Sequence, residues 1–201
     1  MDVMKDRLYA DKAISRERRS SQTAMYLISS SLIRLMAPIM PFTADEAWQS
    51  YPFAPEAESV HCALWPKHMP VSDNVVSDWD MLRTIREGVN VLLEGLRSEG
   101  SIGSSLEAQV ILCPIDKVVA RIVATYAKDL SLVLVVSSVK VVSDMPEDVQ
   151  IVKGPDGQDF YGVVASCADG LKCERCWVYS VDVGECDEHP TLCQRCVKAL
   201  I

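Results

Sequence analysis

Four of the eight cysteines in this 201-residue chain form two C-x-x-C pairs, Cys173-Glu174-Arg175-Cys176 and Cys193-Gln194-Arg195-Cys196, separated by sixteen residues. Each tight turn aims two sulfurs at one point, and two such turns complete a tetrahedron around zinc at sulfur–metal distances of about 2.3 Å. With every position filled by protein, no site is left for water or substrate, so the expected metal is structural, one zinc per chain. Lys172, Arg175, Arg195 and Lys198 stand beside the ligands, where they offset the negative charge that four thiolates leave on the ion and favour the thiolate forms.

Competing readings of the same residues are two disulfides, a redox-active C-x-x-C, or ligation by His189 or Cys186 in place of one knuckle cysteine. A redox motif needs one pair at a helix start and leaves the second pair without a role. Cys186 reads as a spare loop thiol, and Cys62, Cys113 and Cys167 as core residues of their own segments.

Other chemistry is thin. There are three histidines, with no Gly-rich phosphate loop, no Ser/His/Asp arrangement and no paired carboxylates, so no catalytic residue is expected. Arg16, Arg18 and Arg19 in the run Arg16-Glu17-Arg18-Arg19 could contact phosphates or form a solvated helix face. Trp177 beside the first knuckle could stack on a nucleobase or pack over the metal site.

The elements that would carry these groups can be read from periodicity. Leu27, Ile28, Leu32, Leu35, Met36 and Ile39 recur at three- and four-residue steps and predict a helix that Pro38 ends or kinks. Thr43 and Glu46 predict a capping box opening a short helix around Trp48, stopped by Pro52. Residues 52–59 read as a loop and Ser59 to Trp65 as a short extended piece. Trp79, Leu82, Ile85, Val89, Leu92, Leu93 and Leu96 predict a second long amphipathic helix ended by Gly100 and Gly103. After Gly103 the pattern predicts a strand over Leu106 to Leu112, a helix over Asp116 to Lys128, and strands over Leu130 to Val142 and Phe160 to Ala168, the last after an Asp156-Gly157 turn. The expected fold class is α+β and multi-domain. A helical bundle spans 1–100, a small α+β domain 101–170, and a four-cysteine zinc module 171–201.

Composition bounds the function. With 49% hydrophobic and 24% charged residues the chain can bury a core, and a net charge of −8 argues against indiscriminate nucleic-acid binding. Residues 1–35, however, hold seven basic against four acidic residues, so a polyanion would meet the ends of the chain and avoid its acidic middle. No apolar run is long enough to span a membrane, and the N-terminus lacks a secretory pattern; a cytoplasmic location is expected.

Two stretches carry a resemblance. Residues 34–48, Arg34-Leu35-Met36-Ala37-Pro38-Ile39-Met40-Pro41-Phe42-Thr43-Ala44-Asp45-Glu46-Ala47-Trp48, closely resemble the anticodon-binding helical domain of class I aminoacyl-tRNA synthetases for branched aliphatic amino acids. The tail, Lys172-Cys173-Glu174-Arg175-Cys176-Trp177 and His189-Pro190-Thr191-Leu192-Cys193-Gln194-Arg195-Cys196, is similar to the C-terminal zinc module of bacterial-type isoleucyl-tRNA synthetases. Asp6-Arg7-Leu8-Tyr9, residues 18–24 and residues 102–108 resemble the same enzymes, in order along the chain.

The resemblance implies a C-terminal fragment that holds the anticodon stem and loop of isoleucine tRNA, with the bundle and the zinc module gripping opposite sides of unstacked bases. It implies Cys173, Cys176, Cys193 and Cys196 as zinc ligands, and, from charge and position, Arg16, Arg18, Arg19, Lys172, Arg175, Trp177 and Arg195 as RNA contacts. ATP and magnesium would belong to a catalytic domain whose HIGH-like and KMSKS-like signatures are not in this sequence, so the chain by itself is not expected to be an enzyme. The implied partners are the tRNA and the remaining synthetase domains, with no membrane and a monomeric state. Val178 departs from the family, which commonly has a polar residue, often histidine, after the tryptophan. A free-standing zinc-ribbon interaction module and a DNA glycosylase-type zinc finger are the alternatives; the second needs an N-terminal proline nucleophile, whereas this chain begins Met1-Asp2-Val3.

Overall fold

The structure, a computed structural model, describes residues 2–51, 57–154 and 157–200. The expected helix stop at Pro52, the loop over residues 52–56 and Asp156 of the expected turn lie outside the described residues. Two compact units divide the chain: Ala13–Val71, and Met1–Lys12 together with Ser72–Ile201. No helix among the described residues is long and apolar enough to cross a membrane.

In the unit 13–71, α2 (Arg16–Met36) opens on Ser15, whose hydroxyl accepts from the Arg18 amide at 3.2 Å. Helix α3 (Pro41–Gln49) starts two residues before the expected capping box. Pro41 occupies the first turn, where its missing N–H costs nothing, and Met40 at the cap makes no side-chain bond. The unit's core is the cluster Ala37, Ala44, Trp48 and Val60, with Ile33 and Ala63 against it. The Trp48 indole N–H donates to Ala57 O at 2.9 Å, and Asp45 accepts from Ser59 Oγ at 2.7 Å and from the Val60 amide at 3.0 Å. These bonds shape Val60–Cys62 into a 3-10 turn where an extended piece was expected. The expected apolar face of α2 differs as well: Leu27, Ile28, Leu32, Leu35, Met36 and Ile39 are 37% to 81% exposed, and Ser21 and Ser30 are the helix's buried positions. Among the described residues of so small a unit there is one apolar cluster, and Ile33 and Ala37 reach it from a different face of the helix.

In the other unit, α4 (Asp73–Ser98) buries Leu82, Ile85, Val89 and Leu93, four residues of the predicted stripe. They share one core with the strands β1 (Ala108–Pro114) and β4 (Asp159–Cys167) and the helices α5 (Lys117–Thr125) and α6 (Leu130–Leu134). Helix α4 therefore packs on the sheet as well as on α5 and α6, and no packing boundary falls at residue 100. Gly88 is what lets α4 approach β4 closely, since a Cβ there would lie 2.2 Å from the Tyr161 hydroxyl, which donates to Ile85 O.

The sheet order is β2-β1-β4-β3, with β2 (Ser138–Val141) parallel to β1 and the pairs β1–β4 and β4–β3 (Gln150–Lys153) antiparallel. Asp116 caps α5 through the amides of Val118 and Val119. The single strand expected over Leu130 to Val142 is instead α6 followed by β2. Leu130, Val133 and Leu134 are buried at helical spacing, and Val135 turns the chain at φ 57°.

Candidate metal centre

The zinc module is a two-strand hairpin, β5 (Leu171–Lys172) and β6 (Tyr179–Ser180), followed by a loop and α7 (Gln194–Leu200). Gly170 leads into it at φ 90°, where a Cβ would lie 2.3 Å from the Ser180 backbone. Backbone bonds shape the first knuckle: Cys173 N–H donates to Val178 O at 2.9 Å and Trp177 N–H to Cys173 O at 2.8 Å, with Trp177 held at φ 65°. The second knuckle sits on the first turn of α7, and its Cys193 amide donates to the Cys173 sulfur at 3.3 Å.

All four sulfurs of Cys173, Cys176, Cys193 and Cys196 lie within 4.8 Å of one another. Cys176 and Cys193 are 3.7 Å apart. A tetrahedron with arms of about 2.3 Å has edges of about 3.8 Å, so this separation suits two thiolates sharing one zinc. All eight cysteines are free, and His189 and Cys186 stay outside the cluster, joined to each other in a loop turn by a His189 N–H to Cys186 O bond of 3.1 Å. The fold thus gathers the four knuckle sulfurs and leaves His189 and Cys186 apart from them.

The electrostatics suit a cation. Burial pushes the Cys173 thiol up, but the amides of Cys176, Cys193 and Arg175 overcome it and bring it down to about 6. Burial raises Cys176 to about 11, against the pull of the Val178 amide and Arg195 and with the neighbouring Cys193 thiol adding to the rise. Cys196 is likewise pushed up, first by burial and then by its sulfur neighbours. Four thiolates crowded in a dry pocket repel one another, and a divalent ion at their centre removes that penalty.

The candidate RNA-contacting residues fall into three settings. Arg16 and Arg19 are exposed on the first turn of α2 and Arg18 is half-buried there. Lys172 and Trp177 are exposed on the first knuckle, the indole 61% accessible with the Lys172 ammonium 5.5 Å from its ring centre. Arg175 and Arg195 turn toward α1 (Asp2–Tyr9): Arg175 donates to Ala10 O, and Arg195 forks Asp6 at 2.5 and 2.6 Å. Asp6 and Asp11, which lies 3.8 Å from Arg195, were not legible as partners of the knuckles, because nothing in the local sequence joins residues so far apart.

A family described as the anticodon-binding domain of tRNA ligase matches residues 1–112, and one described as a zinc finger found in FPG and IleRS matches residues 170–199. The chain belongs to the tRNA-ligase anticodon-binding family. An isoleucine–tRNA ligase of Gloeobacter violaceus is 41% identical over 202 residues, covering 100% of this chain and 20% of that protein. Those of Paraburkholderia phymatum and Fervidobacterium nodosum are 41% and 37% identical, each over 100% of this chain and 20% and 21% of their own lengths. The chain thus spans about a fifth of the curated relatives it matches. The zinc-finger match and the four-sulfur cluster together support a structural zinc site in this chain.

Proposed function

We propose that this chain recognises the anticodon stem and loop of isoleucine tRNA as a part of an isoleucine–tRNA ligase. The observation that carries the reading is the likeness to three such enzymes over the whole length of the chain, with a four-sulfur cluster in place where the zinc-finger family matches. By role, residues 1–100 form the anticodon-binding part, 101–170 a connecting α+β part and 171–201 the zinc module. Cys173, Cys176, Cys193 and Cys196 hold the metal. Arg16, Arg18 and Arg19 offer phosphate contacts, and Trp177 with Lys172 offers a stacking platform edged by a cation. Arg175 and Arg195 face the RNA only through their outer edges, since their guanidinium nitrogens already serve α1. ATP with magnesium, and the charging of tRNA with isoleucine, belong to the rest of the enzyme, working as a cytoplasmic monomer.

The test is binding of the 201-residue chain to isoleucine tRNA and to the same tRNA altered only in the anticodon. Tighter binding of the unaltered tRNA is expected. Its salt dependence should flatten by about one unit of slope for each arginine–phosphate ion pair removed when Arg16 or Arg19 is replaced by alanine. Equal binding of both tRNAs refutes anticodon recognition by this chain.

A further inference from the structure

Each C-x-x-C knuckle carries one arginine between its two cysteines. Arg175, between the two ligands of the first knuckle, donates to Ala10 O just past the end of α1. Arg195, between the two ligands of the second knuckle, forks Asp6 in α1 and lies 3.8 Å from Asp11. The arrangement is shared: the arginine at the centre of each knuckle holds the same N-terminal segment. A guanidinium has five donors in a rigid fork, enough to serve a sulfur on one side and a carboxylate or carbonyl on the other.

We propose that α1 is the outer shell of the metal centre, so that docking of α1 and retention of zinc are a single coupled event transmitted by Arg175 and Arg195. Four thiolates on a divalent ion leave a net negative charge, and the arginines that neutralise it must be held over the sulfurs. Asp6 does this for Arg195 and the Ala10 carbonyl does it for Arg175. Groups hydrogen-bonded to a metal's ligands change metal affinity by about 10- to 100-fold, and Asp6, acting one contact further out through Arg195, takes the lower end. The same coupling acts in reverse, because a ligand that tightens with docking must strengthen docking by the same factor. When the metal leaves, the two knuckles lose the ion that fixes them against each other, and the arginines that reach residues 6 and 10 lose their common frame, while the Arg7 to Asp129 ion pair of 2.5 Å and Val3 against the core still hold α1.

The inference rests on the zinc reading of the four cysteines, and one experiment separates the two. Zinc affinity of the 201-residue chain is measured by competition with a chromogenic chelator for wild type, Asp6→Asn and Asp6→Ala. Amide hydrogen exchange of α1 is followed in the wild type with and without zinc. Asp6→Asn is close to isosteric and keeps the fold if the alanine variant does not. The expected result is about 10-fold weaker zinc binding in the Asp6 variants. Stripping zinc from the wild type should speed exchange in α1 while β1 and β4 keep their protection. A wild type that binds one zinc, with variant affinities within twofold of it or with α1 exchange indifferent to the metal, overturns the coupling alone. A wild type that binds no zinc overturns the metal reading, and the coupling with it.

Discussion

The zinc module and the body formed by α4 and the sheet are neighbours in one compact unit, yet they cohere by different physics. The body buries seventeen apolar residues in one continuous cluster. Buried positions in the module's cluster are Cys173, Cys193 and Cys196, with Cys176, Val183 and Leu192 around them. A core of that size cannot offset the conformational entropy of some thirty residues, so the sulfur–metal bonds must supply the difference. Motif spacing is consequently the sufficient specification of one region, whereas the other depends on which helical faces meet which strands.

The largest effect that would expose this contrast is removal of the metal. Chelation, or Cys173→Ser with Cys193→Ser, should abolish tertiary structure over residues 170–200, since structural zinc supplies on the order of 10 kcal/mol or more in small fingers. The cooperative urea transition of the body should survive, read by tryptophan fluorescence beside a metal assay. If the body melts with the module, the contrast fails.

Leu82→Ala should do the opposite. Deleting this fully buried side chain from α4 should cost about 2–5 kcal/mol in the urea transition and leave zinc stoichiometry unchanged. Gly88→Ala should cost less, about 1–3 kcal/mol, as the new methyl displaces the Tyr161 hydroxyl from Ile85 O. A crystal structure of that variant should show a shifted Tyr161 ring; an unmoved ring with unchanged stability would refute the close approach.

The smallest effect concerns acid. Asp78 on α4 accepts from Arg121 at 2.7 Å and from Tyr126 at 3.0 Å. The Arg121 hydrogen bond, helped by Tyr126 and opposed by burial, holds its carboxyl below the ordinary carboxylate value. Its folded pKa being depressed, the contribution is complete above about pH 4 and is lost as pH falls through the folded value. Urea midpoints measured from pH 6 downward should therefore fall less steeply for Asp78→Asn than for wild type. Parallel curves would show that the ion pair contributes nothing to acid stability.

What the sequence disclosed follows the same division. The knuckle cysteines announced themselves because all four ligands lie in two short turns whose geometry is local. The stripe of α4 was readable too, since Leu82, Ile85, Val89 and Leu93 repeat at helical steps and all four are buried. What those residues would face was not readable, because a helical stripe fits a sheet as well as another helix. Leu130 to Val142 misled for a related reason: a run of apolar β-branched residues suits both periods, and only the turn at Val135 separates helix from strand. On α2 the periodic stripe pointed to a buried face that the unit 13–71 leaves exposed. Asp6 and Asp11 carried no signal as partners of the knuckles, being acids on a mixed-charge segment until Arg195 arrives beside them.

That arrival takes time. A ribosome adding about 5–20 residues per second would finish α1 and then need roughly 10 to 40 s to supply its distant partner, since Asp6 and Arg195 are 189 positions apart. For most of that interval α1 has neither Arg175 nor Arg195 to bind. A helix made before every other element of its unit is thus among the last to complete its contacts, and zinc loading of a newly made chain should report the moment when these two distant segments are first joined.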